Sequence, residues 1–174
     1  MAKTAGTWQV VDGRIGTQPI ADVSTVQNHP FGTIVRAKDT GTTAYGEGEF
    51  IYVKGVASGA LNAWAGYRSK SGLTTLAVAD GNYSIGIMMS ALDATTDFGW
   101  LQIKGRAIGK CLTAFADNGV VYLTSTAGSI DDASVIGDAV INARKTTTVH
   151  VVGTFLDTYN ISRPFTTNRV ILSN

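Results

Sequence analysis

The residues of this chain whose side chains could act as bases or nucleophiles are few and scattered. His29 and His150 are its only histidines, so a serine–histidine–acid triad has just two candidate bases. His29 precedes Pro30, and His150 lies in the apolar run "TTVHVVGTFL", where a histidine is usually a packed residue. The Gly-x-Ser-x-Gly motif that presents a nucleophilic serine on a sharp turn does not occur. Nucleophilic catalysis therefore has no support in the sequence.

Neighbouring carboxylates are the second group that could carry chemistry, either as an acid–base pair for glycoside hydrolysis or as metal ligands. The candidates are Glu47 with Glu49, Asp93 with Asp97, and Asp131 and Asp132 with Asp138. They lie beside turns, where acidic side chains ordinarily cap and solvate the chain, and the spacing of a calcium-binding EF-hand loop is absent. We therefore predict no catalytic residue, no metal site and no cofactor.

Composition limits the partners of the chain. Fourteen basic and thirteen acidic residues give a net charge of +1, and without a basic stripe we expect no nucleic-acid partner. Charged residues make up 16% of the chain, against about 25% in typical domains, which suits a surface partly covered by other subunits. No run approaches the roughly 18 apolar residues of a membrane helix, and no signal peptide is recognisable. We expect a soluble protein made in a reducing cytoplasm, with the single Cys111 as a buried structural thiol.

The side chains along the run Trp100–Ala107 alternate between two rows, and this pattern predicts the secondary structure of the run. Leu101 and Ile103 fall on one row, and Gln102 and Lys104 fall on the other. A period of two with one apolar row predicts a half-buried β-strand. Further along, Asn118-Gly119 lies between apolar runs and predicts a hairpin turn, because both residues tolerate positive φ.

Glycine-containing turns recur about every ten residues and separate short runs rich in β-forming residues. The predicted strands are Thr33–Ala37, Glu49–Val56, Ala63–Arg68, Leu73–Val78, Tyr83–Met89, Gly99–Ala107, Val120–Thr124 and Thr147–Leu156. This spacing predicts an all-β fold, a single sandwich or barrel-like domain. The segment 131–144 is open between one short helix and an irregular strand pair, and Gly137 favours the strands.

Pro30 and Pro164 flank the strand-rich region. We therefore predict an extended N-terminal arm over residues 1–30 and a β-rich domain over residues 31–174 that ends in a short tail. The arm has isolated apolar residues that could anchor it on a partner, namely Trp8, Val10, Val11 and Ile20. Alternatively, Trp8 packs on its own domain as part of an added strand.

Three segments together resemble a known family. They are a Gly-φ-φ-Met strand at Gly86–Met89, where φ is an apolar residue, the run "GWLQIKGRA" at Gly99–Ala107, and a later Gly-Asp turn at Gly137-Asp138. This order is similar to that in the decoration proteins of tailed bacteriophages, also called head-stabilising or cement proteins. The resemblance spans about two thirds to three quarters of the chain and excludes the arm.

The resemblance implies a non-enzymatic virion protein that binds the outer surface of the head and bridges subunits of the major capsid protein. It also implies self-association, with a trimer favoured. The competing hypothesis is a carbohydrate- or receptor-binding β-module of a phage fibre. That function needs an exposed aromatic platform, for which Trp64, Tyr67 and Trp100 are the candidates.

Overall fold

The computed structural model describes residues 8–12, 16–41, 46–113, 115, 120–145, 152–157 and 166–167. Within these residues the chain forms strands and no helix, which confirms the predicted all-β class. The strands are β1 Trp8–Val10, β2 Ile34–Asp39, β3 Glu47–Lys54, β4 Trp64–Tyr67, β5 Thr74–Leu76, β6 Ser84–Met88, β7 Phe98–Lys104, β8 Ala107–Lys110, β9 Val120–Leu123, β10 Ile130–Asp131, β11 Ala139–Lys145, β12 Val152–Asp157 and β13 Thr166–Thr167.

Seven of these strands form one antiparallel sheet in the order β1-β2-β3-β7-β6-β4-β5. Five others form a smaller antiparallel sheet in the order β10-β9-β11-β12-β8. An isolated parallel bridge between Cys111 and Ile130 brings β10 to the end of β8 and closes this ring of strands. The short strand β13 pairs with both β6 and β11, so it connects the two sheets. Cys111 is buried, as the sequence predicts.

Three apolar clusters form the core. The first lies between the two sheets and includes Trp64, Ile87, Phe115 and Val121. The second gathers side chains from one face of β3, β4, β6 and β7, together with loop residues such as Leu92. The third covers the opposite face of β3 and β7 and draws on β1, β2 and the segment around Ile20 and Phe31.

The prediction that Trp100–Ala107 is half-buried is wrong, because β7 is covered on both faces. Leu101 and Ile103 belong to the second cluster, while Trp100 on the other face is fully buried in the third. The polar side chain of Gln102 is only 1% exposed. The third cluster exists because the segment before β2 folds back over this face of the sheet.

Gln102 also explains why the predicted single strand is two. Its Nε2 donates hydrogen bonds to the carbonyls of Lys104 and Arg106, each at 3.0 Å. These bonds hold a bend in which Gly105 has a φ of +89°, a conformation that favours glycine. A Cβ at Gly105 would stand 2.5 Å from the Glu47 carbonyl oxygen. The bend ends β7 in the first sheet and starts β8 in the second.

The segment 131–144 contains strand residues and no helix where it is described. Asp131 ends β10, and β11 begins at Ala139. The predicted hairpin turn Asn118-Gly119 lies outside the described residues. On either side of it, β8 pairs with β12, whereas β9 pairs with β10 and β11.

Candidate interaction surfaces

Glu47 and Glu49, the first pair of candidate carboxylates, have structural partners in the fold. Glu47 forms an ion pair with Arg36, and Glu49 forms one with Lys104, each at 2.7 Å. Because β2, β3 and β7 are neighbours, these side chains form a cross-strand array of alternating charge. The described residues contain no group of three or more histidine, cysteine or acidic side chains that could hold a metal ion.

Two of the aspartates stabilise turns. The Asp97 carboxylate accepts a hydrogen bond from the Ala94 amide at 3.0 Å. The Asp138 carboxylate is buried and accepts one from the Asp80 amide at 2.7 Å. Asp80 has a positive φ of 61°, so this bond fixes a backbone conformation that few residues adopt. His150 lies outside the described residues.

The aromatic side chains proposed as a sugar-binding platform lie inside the protein. Trp64 and Trp100 are fully buried, and Tyr67 is buried as well. Each indole nitrogen donates to a backbone carbonyl at 3.0 Å, from Trp64 to Lys110 and from Trp100 to Gln18. These three residues therefore form no exposed platform, which removes the feature that the fibre-module hypothesis required.

The described part of the N-terminal segment packs on its own domain. Strand β1 pairs with β2, and the Trp8 ring meets the Phe50 ring edge-on with 5.0 Å between centroids. Ile20 is only 1% exposed, so it is not available to a partner in this fold. Val10 is half-buried, and Val11 is 48% exposed. The structure thus has Trp8 on an added strand, the alternative interpretation of this segment.

Gln18 fastens this segment to the sheet through a network of hydrogen bonds. Its partners are Asp22, Asn28, His29, Tyr52, Phe98 and Trp100. The Gln18 amide donates to Nε2 of His29 at 3.0 Å, so this nitrogen acts as the acceptor. Burial raises the pKa of Tyr52, and its neutral hydroxyl lies 3.1 Å from Oε1 of Gln18. Both histidine and glutamine therefore act as structural residues here.

Exposed apolar side chains mark the surfaces that a partner could cover. Among the described residues, the large ones are Val11, Val23, Val26, Ile34, Leu61, Leu73, Val120, Val135 and Ile136. Val135 and Ile136 are the only two of these that adjoin in sequence. Ile136 is fully exposed at 101%, and Val135 is 44% exposed.

Val135 and Ile136 belong to a tight turn, residues 135–138, that we call the Val135–Ile136 turn. The Asp138 amide donates to the Val135 carbonyl at 3.2 Å, and Gly137 has a φ of +91°. A positive φ at the third position is what a type II turn requires. Asp138 holds the base of the turn, because its carbonyl accepts from the Leu123 amide at 2.9 Å. An apolar tip is thus presented to solvent on a fixed base.

A cleft of about 150 Å³ is lined in part by Asn82 and Tyr83, close in the chain to Asp80, whose amide bonds to Asp138 at the end of this turn. We call it the tyrosine cleft, and its lining residues are Gly66, Tyr67, Arg68, Leu73, Thr74, Thr75, Asn82 and Tyr83. The Tyr83 hydroxyl donates to the Val78 carbonyl at 3.0 Å and accepts from the Val78 amide at 2.7 Å. Burial raises the pKa of both tyrosines, so their hydroxyls stay neutral. The exposed residues Arg68 and Leu73 make the rim both basic and apolar.

The sequence indicated a turn at Gly137-Asp138, but nothing in it indicated that Ile136 would be fully exposed there. The cleft has no local signature, because its walls come from β4, β5 and the loop before β6.

No family model, curated protein or solved structure matches this chain. Within the described residues there is also no helix of the length and apolar character that a membrane span requires.

Proposed function

We propose that this protein is a non-enzymatic structural protein of a tailed-phage virion. It is made in the host cytoplasm, binds the outer surface of the capsid and stabilises the head by bridging subunits of the major capsid protein. The observation that carries the proposal is the run Gly99–Ala107, taken together with the strand Gly86–Met89 and the turn Gly137-Asp138.

The side chains of these three segments have specific roles in this fold. Gln102 holds the bend between the sheets, and Asp138 holds the loop at Asp80. Gly86 permits close packing, since a Cβ there would stand 2.9 Å from the Cβ of Leu101. The residues that carry the resemblance to decoration proteins thus determine the fold of this chain, and the proposal rests on that pattern rather than on a set of binding residues.

The surface supports a binding role for the protein. Arg36 of β2 and Glu47 and Glu49 of β3 are engaged in ion pairs, whereas the apolar side chains of several loops remain exposed. Among the described strands β1 pairs with β2 alone, so strand addition at its other edge is the proposed mode of contact with the capsid, with Val11 beside it.

Stabilisation follows from linkage. A protein that binds a site formed only where capsid subunits meet favours the assembled shell, just as any ligand stabilises the state it binds. Many weak contacts suffice, because copies attached to one shell act at high effective concentration.

The test is co-sedimentation of the purified protein with undecorated phage heads and with a capsid-free control. We expect the protein to sediment with the heads and to saturate at a fixed number of copies per capsid subunit. Val11→Asp should weaken binding, whereas Val26→Asp, at an exposed valine in another loop, should leave it unchanged. Protein that stays in the supernatant at every head concentration would refute the proposal.

A further inference from the structure

The Val135–Ile136 turn and the tyrosine cleft have complementary properties. The turn presents a fully exposed isoleucine, and the half-buried Asp131 and Asp132 precede it along the chain. The cleft has an apolar wall at Leu73 and the exposed cation Arg68 at its rim, and the exposed Lys70 lies two residues further along the chain. An acidic, apolar projection and a basic, partly apolar recess thus occur on the same chain.

We propose that the turn of one copy docks in the tyrosine cleft of a second copy of this chain. Ile136 would lie against Leu73 and the tyrosine rings, while Asp131 and Asp132 would face Arg68 and Lys70. The proposal goes beyond capsid binding and does not depend on it, since the contact forms between two copies of the free protein.

The positions of the turn and the cleft favour a second copy of this chain as the partner, and they also determine the symmetry of the pair. The turn and the cleft lie close together. Asp138 at the end of the turn bonds to Asp80, and Asn82 and Tyr83 of the cleft come two and three residues after Asp80. In a two-fold interface, a residue of one copy meets a partner residue in the other copy, and the same contact occurs again in reverse. A single two-fold axis beside this patch therefore brings both turns into both clefts.

A three-fold ring makes a different demand. Each copy of a ring uses one surface toward the copy before it and a different surface toward the copy after it. Adjacency of turn and cleft therefore favours a pair over the trimer that the resemblance implies.

The exposed apolar side chain of Ile136 is the part of the turn that would bind in the cleft. A fully exposed isoleucine makes no apolar contact in its own fold, and transferring such a side chain from water to an apolar site is favourable. The turn is also held in shape by Gly137 and by the bonds of Asp138, so little conformational freedom is lost on docking.

The first experiment measures the mass of the full-length protein in solution, without heads, over a wide concentration range. We expect a concentration-dependent species of twice the 18.3 kDa chain mass. Ile136→Asp should lower the association constant by about tenfold or more, as expected for an anchor residue at the centre of a small interface. Val26→Asp is the matched control and should have no effect.

The second experiment tests the pairing itself by charge reversal. One variant carries Asp131→Lys and Asp132→Lys, and the other carries Arg68→Glu and Lys70→Glu. Each variant alone should stay monomeric, because like charges meet at both contacts, and a one-to-one mixture should form pairs again, because both contacts are then complementary. Thermal unfolding of each variant checks that it is folded.

Three results would overturn the proposal. They are a protein that stays monomeric at all concentrations, association that Ile136→Asp does not change, and folded charge variants that do not pair on mixing. A three-fold species would contradict the two-fold arrangement. None of these results bears on capsid binding, because heads are absent from both experiments.

Discussion

Strand β7 and the Val135–Ile136 turn use apolar residues in opposite ways. In β7, Trp100 and Leu101 are fully buried on opposite faces of the sheet, and even Gln102 is enclosed with its hydrogen bonds made inside the protein. In the turn, Ile136 is fully exposed, although the backbone beneath it is fixed. Buried residues such as those of β7 specify the fold, whereas an exposed residue such as Ile136 can contact a partner.

The largest expected difference between the two regions is in stability. Trp100→Ala should lower the free energy of unfolding by about 3–5 kcal/mol, because it leaves a large cavity and an unpaired Gln18 carbonyl. Ile136→Ala should change it by no more than about 0.5 kcal/mol, as for other surface positions. Urea unfolding of both variants measures this difference in the free energy of unfolding. Similar losses in the two variants would contradict it.

The bend between the sheets should show an intermediate effect. Gln102→Leu keeps the size of the side chain but leaves the Lys104 and Arg106 carbonyls without their donor, at an expected cost of about 1–3 kcal/mol. Gln9→Leu, at an exposed position of β1, is the matched control and should be within about 0.5 kcal/mol of the wild type. The measurement is again urea unfolding, and equal stabilities would show that the bend does not depend on Gln102.

The strands of this fold could largely be predicted from the sequence, whereas the burial of β7 could not. Each β-rich run predicted between glycine-containing turns overlaps a strand of the structure, with ends that agree to within a few residues where they are described. The break that makes β8 a separate strand was not predicted. Burial of β7 on both faces could not be predicted, because its cover comes from the segment around Ile20 and Phe31, about 70 residues earlier. That segment has scattered apolar residues without a period, so nothing in it indicated the face on which it lies.

The surfaces were harder to predict than the strands. Val10 and Val11 adjoin in the sequence, yet Val10 is half-buried and Val11 is exposed. Val10 lies on β1, whereas Val11 follows the end of that strand. The resemblance rests on turn glycines and on strand residues such as Trp100 and Gln102, whose roles here are structural. It therefore named no contact residue.

The smallest expected effect concerns pH. Burial raises the pKa of Tyr52, Tyr67 and Tyr83 above the ordinary value, so the folded protein holds these protons more tightly than the unfolded chain does. Their contribution to stability is complete below about pH 10 and is lost as the pH rises from there through the folded-state values.

Urea unfolding at about pH 8 and about pH 11 should show this loss. Tyr83→Phe should make it smaller, because one buried hydroxyl no longer titrates. A stability that rises over this interval would contradict the burial of the three hydroxyls.

The central claim is that binding of this protein strengthens an assembled shell. The most direct test is the temperature at which filled phage heads release DNA, measured with and without saturating protein. We expect decorated heads to release DNA at a higher temperature, and we expect a smaller increase with Val11→Asp at the same protein concentration. Heads that carry the protein at saturation and release DNA at the same temperature as undecorated heads would contradict it.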